Sequence, residues 1–270
     1  MSDSRRVLIT GAGSGLGRAM AVRYAKAGAR VACVDLIGER AEETRALLAG
    51  SGHLAYTVDV GSDTAMEALR DAVLREWNGL DVLYNNAGIA SGGPMIETTM
   101  EEWRRIIEID LFSVVRGCRM FLPTMLAAGR GQIVSTASFA GLAGAPGIMT
   151  YGVAKAAVVA LSEQLRAEVQ SRGVRVSVLC PSFFRTNLCE TGIGAPRVMV
   201  AAQRLMDESP DTLDGVADKV FAAAERGDFM IIPTTREPMR WRLKRWFPEF
   251  YFRQLQKLSA VAAMSNKGAV

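Results

Sequence analysis

The feature that most constrains the fold is a glycine-rich turn near the start of the chain, Gly11-Ala12-Gly13-Ser14-Gly15-Leu16-Gly17. The apolar run Val7-Leu8-Ile9 precedes it, and an alanine-rich helical stretch, residues 18–27, follows it. Strand, glycine turn and helix in this order predict a backbone with positive φ angles whose amide N–H groups face a bound anion at the helix start. A tight packing turn without a ligand is the alternative.

Apolar, strand-like runs alternate with helical stretches along most of the chain. The alternation predicts a single α/β domain, a doubly wound parallel sheet of the Rossmann type with about seven strands and helices on both faces. With 270 residues and 49% apolar content, the chain can bury such a core. The strand candidates are residues 6–10, 30–35, 54–58, 82–84, 132–136, 175–179 and 229–232, and the main later helical candidates are 63–76, 100–127, 150–172 and 213–226.

Asp35 ends the second apolar run, about 20 residues after the glycine turn. In a dinucleotide-binding fold, a carboxylate at this place accepts hydrogen bonds from the adenine ribose hydroxyls and repels a 2′-phosphate. Leu36 follows Asp35 and the turn carries Ser14, so no Arg or Lys is expected nearby to receive that phosphate. The spacing therefore predicts NAD rather than NADP, with a solvated turn aspartate as the alternative.

A second pattern, Tyr151-x-x-x-Lys155, lies far downstream at the start of a long helical stretch. Residues four apart share one face of a helix. An isolated tyrosine has a pKa of about 10, and a neighbouring ammonium lowers it, which suits the phenol to proton exchange with a carbonyl or an alcohol. An ordinary exposed helix face is the alternative for such a pair.

Together these motifs resemble the short-chain dehydrogenase/reductase family over about residues 5–235. The resemblance is carried by residues 10–17, Asp59-Val60, Asn85-Asn86-Ala87-Gly88, Ser138 thirteen residues before Tyr151, and the Tyr151–Lys155 pair. It implies hydride transfer between NAD(H) and an alcohol or ketone, with Tyr151 as acid/base, Lys155 on the nicotinamide ribose and Ser138 on the substrate oxygen. The implied cofactor contacts are Gly11, Ser14, Gly15, Leu16, Gly17, Asp35, Asp59, Val60, Asn86, Ala87, Gly88, Tyr151, Lys155, Pro181, Phe184 and Thr186.

Two positions depart from the family pattern. Asp110 stands where the family usually has the Asn that completes its proton relay. An ionised Asp110 keeps Lys155 charged and opposes tyrosinate formation, whereas a protonated one imitates the amide as a donor, so we expect an altered pH profile. Ser182 follows Pro181 where the family commonly has Gly, and the next two residues, Phe183 and Phe184, are either walls of the substrate site or core residues.

The sequence further divides into a catalytic domain, residues 1–235, and a basic, aromatic extension, residues 236–270. Within the first part, residues 182–209 combine Gly and Pro with many apolar residues, which predicts a substrate lid and an apolar, fairly bulky alcohol or ketone as substrate. Ordinary helix packing is the alternative for the Met and Leu residues of this segment.

The net charge of +4 originates in the extension. Residues 236–257 hold seven of the 32 basic and two of the 28 acidic residues, so the rest of the chain is nearly neutral and nucleic-acid binding is not expected. Aromatic residues interleave with these cations. Three interpretations of the extension stay open. It packs on a neighbouring subunit or over the pocket, it contacts an anionic membrane surface through residues 236–257, or it is disordered.

His53 is the only histidine and the four cysteines lack paired spacing, so no metal site is expected. Cysteine usage and the lack of a recognisable leader or membrane-spanning run predict a cytoplasmic protein, with peripheral contact at the inner face of a membrane as the alternative. The resemblance also implies a homo-oligomer, a dimer or tetramer. Two other functions stay open: a redox-silent NAD-binding regulatory module and a sugar-nucleotide epimerase or dehydratase.

Overall fold

The computed structural model describes residues 4–267, and their side chains apart from Thr191 and residues 258–267. The last three residues of the predicted extension therefore lie outside the described part. The strands in chain order are β1 (Arg6–Thr10), β2 (Arg30–Asp35), β3 (Leu54–Thr57), β4 (Val82–Asn85), β5 (Ser91–Gly92), β6 (Gly131–Thr136), β7 (Val174–Leu179), β8 (Ile193–Gly194) and β9 (Met230–Ile231).

The helices are more numerous than the sequence predicts. In chain order they are α1 (Gly15–Lys26), α2 (Gly38–Ala46), α3 (Asp63–Trp77), α4 (Met100–Ile107), a π-helical turn (Glu108–Phe112), α5 (Ser113–Ala128), α6 (Ala140–Ala143), α7 (Met149–Val169), α8 (Pro196–Asp207), α9 (Leu213–Arg226), α10 (Glu237–Trp246) and α11 (Pro248–Lys267). Short 3₁₀ turns cover Gln170–Arg172 and Leu188–Thr191.

Seven parallel strands form one sheet in the order β3-β2-β1-β4-β6-β7-β9. Helices α1 and α9 pack on one face, where Val7 and Ile9 of β1 point. Helices α3, α5 and α7 pack on the other face, where Leu8 points. This architecture confirms the predicted doubly wound sheet of seven strands.

The order of strand addition reverses between β1 and β4. Strands β2 and β3 lie on one side of β1, and β4 and the later strands of the sheet lie on the other. Strand β1 pairs with β2 on one side and with β4 on the other. In such sheets, ligands bind in the crevice outside the carboxyl ends of the strands at this switch point. Both the glycine turn and the segment after Asn85 leave the sheet there.

The predicted helix over residues 100–127 is interrupted. Residues Glu108–Phe112 form a π-helical turn between α4 and α5. A π turn holds one more residue than an α-helical turn, so a search for apolar residues at 3.6-residue intervals does not detect it. Such turns occur often at functional sites. Asp110 lies in this turn.

The segment Met100–Ala128 also corrects the expectation that the chain holds no run able to span a membrane. It is long and apolar enough to do so by length and composition alone. Core helices pass the same test, and Val114, Phe121 and Met125 of this segment are buried in the cluster beneath the sheet. Its apolar content is therefore explained by its place over β4 and β6.

The extension folds back on its own chain. Helix α10 packs against α6, and Lys244 Nζ donates a hydrogen bond to the carbonyl oxygen of Leu142. Glu237 at the start of α10 and Tyr251 in α11 are buried. One side of the extension is thus attached to α6, the short helix that begins two residues after Ser138.

Candidate active site

The glycine turn brings β1 and α1 closer together than any side chain allows. A Cβ atom added at Gly17 would lie 2.1 Å from the carbonyl oxygen of Gly11, and one at Gly13 would lie 2.6 Å from Asp35 Oδ2. Gly11 has a φ of +64°, a conformation that L side chains rarely adopt. The turn is therefore a backbone-lined cradle at the N-terminus of α1, where amide N–H groups favour an anion.

Asn86 ties three strand ends together beside this cradle. Its Nδ2 donates to the Thr10 carbonyl oxygen at 3.0 Å, and its Oδ1 accepts from Thr136 Oγ1 at 3.2 Å. The backbone N–H groups of Asn86 and Ala87 both donate to Thr10 Oγ1. These bonds hold the carboxyl ends of β1, β4 and β6 in fixed positions around the crevice.

One cavity of about 300 Å³ lies in this crevice. The structure brings together along its wall every residue that the sequence assigns to the cofactor or the substrate, apart from Asp110. These residues are Gly11, Ser14, Gly15, Leu16, Gly17, Asp35, Asp59, Val60, Asn86, Ala87, Gly88, Ser138, Tyr151, Lys155, Pro181, Phe184 and Thr186. Residues as far apart in sequence as Gly11 and Thr186 thus share one space, as the topology requires.

Tyr151, Lys155 and Ser138 meet at one end of the wall. Lys155 Nζ lies 5.6 Å from the centroid of the Tyr151 ring, and it donates to the Thr136 carbonyl oxygen at 3.1 Å. Burial raises the pKa of Tyr151, while Lys155 and the Ser138 hydroxyl lower it and Asp110 raises it further. Without cofactor the pKa of Tyr151 is therefore raised, because burial outweighs the ammonium. The expected lowering also invokes the positive charge of bound nicotinamide and stays a prediction.

Asp110 lies behind this wall rather than in it. Its carboxylate is fully buried, Oδ1 accepts a hydrogen bond from Ile89 N–H at 2.9 Å, and Oδ2 lies 3.1 Å from Lys155 Nζ. The contact to Lys155 is an ion pair without hydrogen-bond geometry. Gly88 lies close in front of the pair, since a Cβ there would lie 3.2 Å from Lys155 Nζ and 3.3 Å from Asp110 Oδ1.

Both oxygens of Asp110 face donors, which favours its ionised form. Burial raises the pKa of Asp110 above its ordinary value, although Lys155 and the Ile89 N–H group oppose that rise. For Lys155, burial acts to lower the pKa, but Asp110 and Tyr151 raise it by more, so it stands above its ordinary value. Of the two predicted roles of Asp110, the geometry favours the one that keeps Lys155 charged.

We predict that Asp110→Asn moves the pH profile of alcohol oxidation to lower pH. Asp110 raises the pKa of Tyr151, so removing its charge lowers that pKa. The family resemblance implies that the deprotonated phenol is the base of oxidation, and with that base the rising limb of kcat/KM against pH begins at lower pH. Asp59→Asn is the matched control, because it removes an exposed carboxylate from the same cavity. An unchanged limb in Asp110→Asn excludes Asp110 from the proton relay.

Asp35 contacts the cradle directly. Its Oδ2 accepts a hydrogen bond from Gly13 N–H at 2.8 Å, and Oδ1 accepts one from Ile37 N–H at 3.0 Å. Arg40 also lines the cavity, and its guanidinium lies 3.7 Å from Glu190. The expectation that no cation stands near Asp35 is therefore wrong, because the first turn of α2, which the sequence did not reveal, carries Arg40 back to the cavity.

The two phenylalanines of the predicted lid lie in different surroundings. Phe184 is buried and lines the cavity together with Thr186, Leu188 and Met206. Phe183 is not among the lining residues, and its carbonyl oxygen accepts a hydrogen bond from Ser209 Oγ at 2.6 Å. Only Phe184 therefore fits the interpretation as a wall of the substrate site.

The family model for short chain dehydrogenase matches residues 5–192. The chain belongs to the short-chain dehydrogenase/reductase family. A relative, meso-2,3-butanediol dehydrogenase from Serratia marcescens, is 38% identical over 69% of this chain and 74% of its own length. Membership of this family confirms the resemblance stated from the motifs.

Solved structures agree with this family assignment. A short-chain dehydrogenase/reductase from Burkholderia phymatum in complex with NAD is 30% identical, with a TM-score of 0.86 over 92% of this chain and 95% of that one. A short-chain dehydrogenase from Sphingobium yanoikuyae in complex with NADPH is 27% identical, with a TM-score of 0.76 over 93% of each chain. The chain is thus a short-chain oxidoreductase of alcohols or ketones with a nicotinamide cofactor, which is the first of the three functions weighed above.

Proposed function

We propose that this protein transfers a hydride between NAD(H) and a secondary alcohol or the matching ketone, with Tyr151 as the acid/base. The observation that carries the proposal is the convergence of Tyr151, Lys155 and Ser138 on the cavity that the glycine cradle also lines. A screen of ketones and alcohols with NADH and NADPH side by side tests it. No turnover across the screen, with NADH binding intact, would contradict it.

The cradle fits a dinucleotide. Its backbone N–H groups stand at the N-terminus of α1, and the close approach at Gly13 and Gly17 leaves no room for a side chain there. Asp59 and Val60 would flank the adenine, and Asn86, Ala87 and Gly88 would line the middle of the cofactor. Bound nicotinamide supplies the hydride in reduction and accepts it in oxidation.

The remaining chemistry falls to three side chains. In reduction, the Tyr151 hydroxyl donates a proton to the carbonyl oxygen, which Ser138 Oγ also binds as a hydrogen-bond donor. Lys155 Nζ stabilises the tyrosinate that this step leaves. Asp110 holds that ammonium in place and keeps it charged, so we assign it a positioning role. In oxidation, the tyrosinate takes the hydroxyl proton of the alcohol.

NAD is the cofactor that Asp35 favours. A carboxylate beside the ribose repels a 2′-phosphate, whereas both hydroxyls of an unphosphorylated ribose can donate to it. Arg40 acts in the opposite direction because a guanidinium is well suited to a phosphate. Glu190 already lies near Arg40, so Asp35 is the stronger influence on a free 2′-phosphate.

We predict that Asp35→Ser shifts the preference toward NADPH. The change removes a like charge from beside the 2′-phosphate and leaves Arg40 to bind it, and such contacts are worth several kcal/mol. The ratio of kcat/KM with NADPH to that with NADH should rise by at least about tenfold. Asp59→Asn removes the same charge elsewhere in the cavity and should leave the ratio unchanged. A constant ratio in Asp35→Ser would refute the assignment.

The substrate is proposed to be apolar and fairly bulky. The cavity wall includes Ile89, Phe184, Leu188 and Met206, which offer apolar surface and few hydrogen bonds. Residues 182–209 are proposed as the lid. This segment packs closely on β5, since a Cβ at Gly92 would lie 2.2 Å from Val198. The division of the chain into a catalytic domain, residues 1–235, and an extension stays a prediction. So does the assembly into a homo-oligomer.

A further inference from the structure

The outer side of the extension is aromatic and basic, and the activity described above does not use it. Trp246 of α10 and Phe250 of α11 are 73% and 53% exposed. A group of large exposed apolar side chains that lie together marks an interaction surface. We use the name outer face for eight exposed apolar and basic residues of α10, α11 and the junction between them: Met239, Arg242, Trp246, Phe247, Phe250, Phe252, Arg253 and Lys257. Glu249 is the exposed acidic residue beside them.

The two helices repeat one arrangement of exposed side chains. Met239, Arg242 and Trp246 are spaced three and four residues apart in α10, and Phe250, Arg253 and Lys257 have the same spacing in α11. Each trio therefore forms one stripe along its helix, and every member is exposed. The opposite sides carry Glu237 and Tyr251, which are buried.

The cations of the outer face have no acidic partner within the described residues. Arg242, Arg253 and Lys257 form no ion pair there, whereas Arg240 pairs with Glu237 at 3.5 Å and Lys244 donates to Leu142. Residues 236–257 carry a surplus of five positive charges, while the rest of the chain is nearly neutral. The surface that complements the outer face must therefore be anionic.

A second copy of the chain does not offer such a surface. Two outer faces placed together would bring their unpaired cations into contact, and like charges across an interface are repulsive. The rest of the chain has 25 basic and 26 acidic residues, an acidic excess of one, which is too small to balance five positive charges. An anionic lipid surface complements both parts of the stripe, since Trp and Phe enter the interfacial zone while Arg and Lys reach the headgroups.

We propose that the outer face binds the protein to an anionic membrane surface, with α10 and α11 lying in the interface and the catalytic domain outside the lipid. Because the inner side of α10 packs on α6, this attachment holds that short helix, which begins two residues after Ser138, near the membrane. The proposal is independent of the proposed substrate and cofactor.

The test uses the full-length protein and co-sedimentation with phosphatidylcholine vesicles, with and without phosphatidylglycerol. Binding to the anionic vesicles should be at least about tenfold stronger and should weaken with salt. Arg242→Gln with Arg253→Gln should lower partitioning by about thirtyfold, from about 1 kcal/mol per basic residue. Trp246→Ser with Phe250→Ser should lower it by at least about tenfold.

Ile96→Ser is the matched control, because Ile96 is 94% exposed but lies far along the chain from the extension; it should not change partitioning. Light scattering follows the oligomeric state of each variant in parallel. Equal binding to neutral and anionic vesicles, or no binding to either, overturns the proposal. So do paired variants that alter the oligomeric state and leave vesicle binding unchanged, a result that assigns the face to a second copy.

Discussion

Replacing Tyr151 with Phe is expected to lower kcat/KM for ketone reduction by about 10² to 10⁴-fold, the usual contribution of a general acid. The change removes only the hydroxyl and keeps the ring beside Lys155, so the cavity and its other walls persist. NADH binding, followed by nicotinamide fluorescence, should stay close to that of the wild type. The loss therefore falls on turnover rather than on cofactor affinity.

Tyr56→Phe is the control for this substitution. Tyr56 lies in β3, is partly exposed and is absent from the cavity wall, so the loss of its hydroxyl should leave kcat/KM unchanged. Ser138→Ala separates the two hydroxyls further, since Ser138 binds the oxygen without carrying the proton and its loss should be smaller. Turnover by Tyr151→Phe at the wild-type rate would remove Tyr151 from the mechanism.

Lys155→Met is expected to damage both stability and turnover. The ion pair with Asp110 has side-chain exposures of 4% and 0%, and removing one member of a buried pair costs about 3–5 kcal/mol because the other charge stays uncompensated. In a chain of this size the melting temperature should fall by about 10 °C. Turnover should fall by at least about a hundredfold, because no ammonium remains to stabilise the tyrosinate.

Asp110→Asn in the Lys155→Met background separates these two effects. Asparagine removes the uncompensated charge and can still accept the hydrogen bond from Ile89 N–H, so most of the lost melting temperature should return. Turnover should not return, because the ammonium is still absent. A double variant that stays as unstable as Lys155→Met, as measured by calorimetry, would show that Asp110 is not the source of the loss.

The fold and most of the site could be predicted because their signals are local. Strands β1 and β2 were predicted with the bounds that the structure has, since buried parallel strands read as short apolar runs. The turn needs glycine because only a residue without a Cβ atom readily adopts its positive φ angles and allows its close backbone contacts. In a parallel sheet the segments that follow the strands meet at one edge, so Asp35, Asn86 and Tyr151 are expected to share one cavity.

The features that the sequence did not reveal depend on tertiary contacts. Arg40 reaches the cavity because α2 starts directly after β2 and packs Ala41 into the core, a helix whose polar sequence gives little periodicity. The π turn at Asp110 leaves no mark on composition. Docking of α10 on α6 rests on Lys244 and one carbonyl group. The only signal that could have pointed to Arg40 is its spacing of five residues from Asp35.

Two further predictions await their own tests. A cytoplasmic location stays a prediction from cysteine usage, and the assembly into a dimer or tetramer stays one from the family resemblance. Neither affects the chemistry proposed for the cavity, whose wall comes from the described residues of a single chain.

Transfer of deuterium from NADH labelled at nicotinamide C4 tests the central claim most directly. With a ketone from the screen, mass spectrometry should find the label on the carbinol carbon of the product, and Tyr151→Phe should slow its appearance at least about a hundredfold with NADH still bound. Label appearing at an equal rate in both proteins would contradict the account, as would a wild-type protein that binds NADH and transfers no label to any ketone tested.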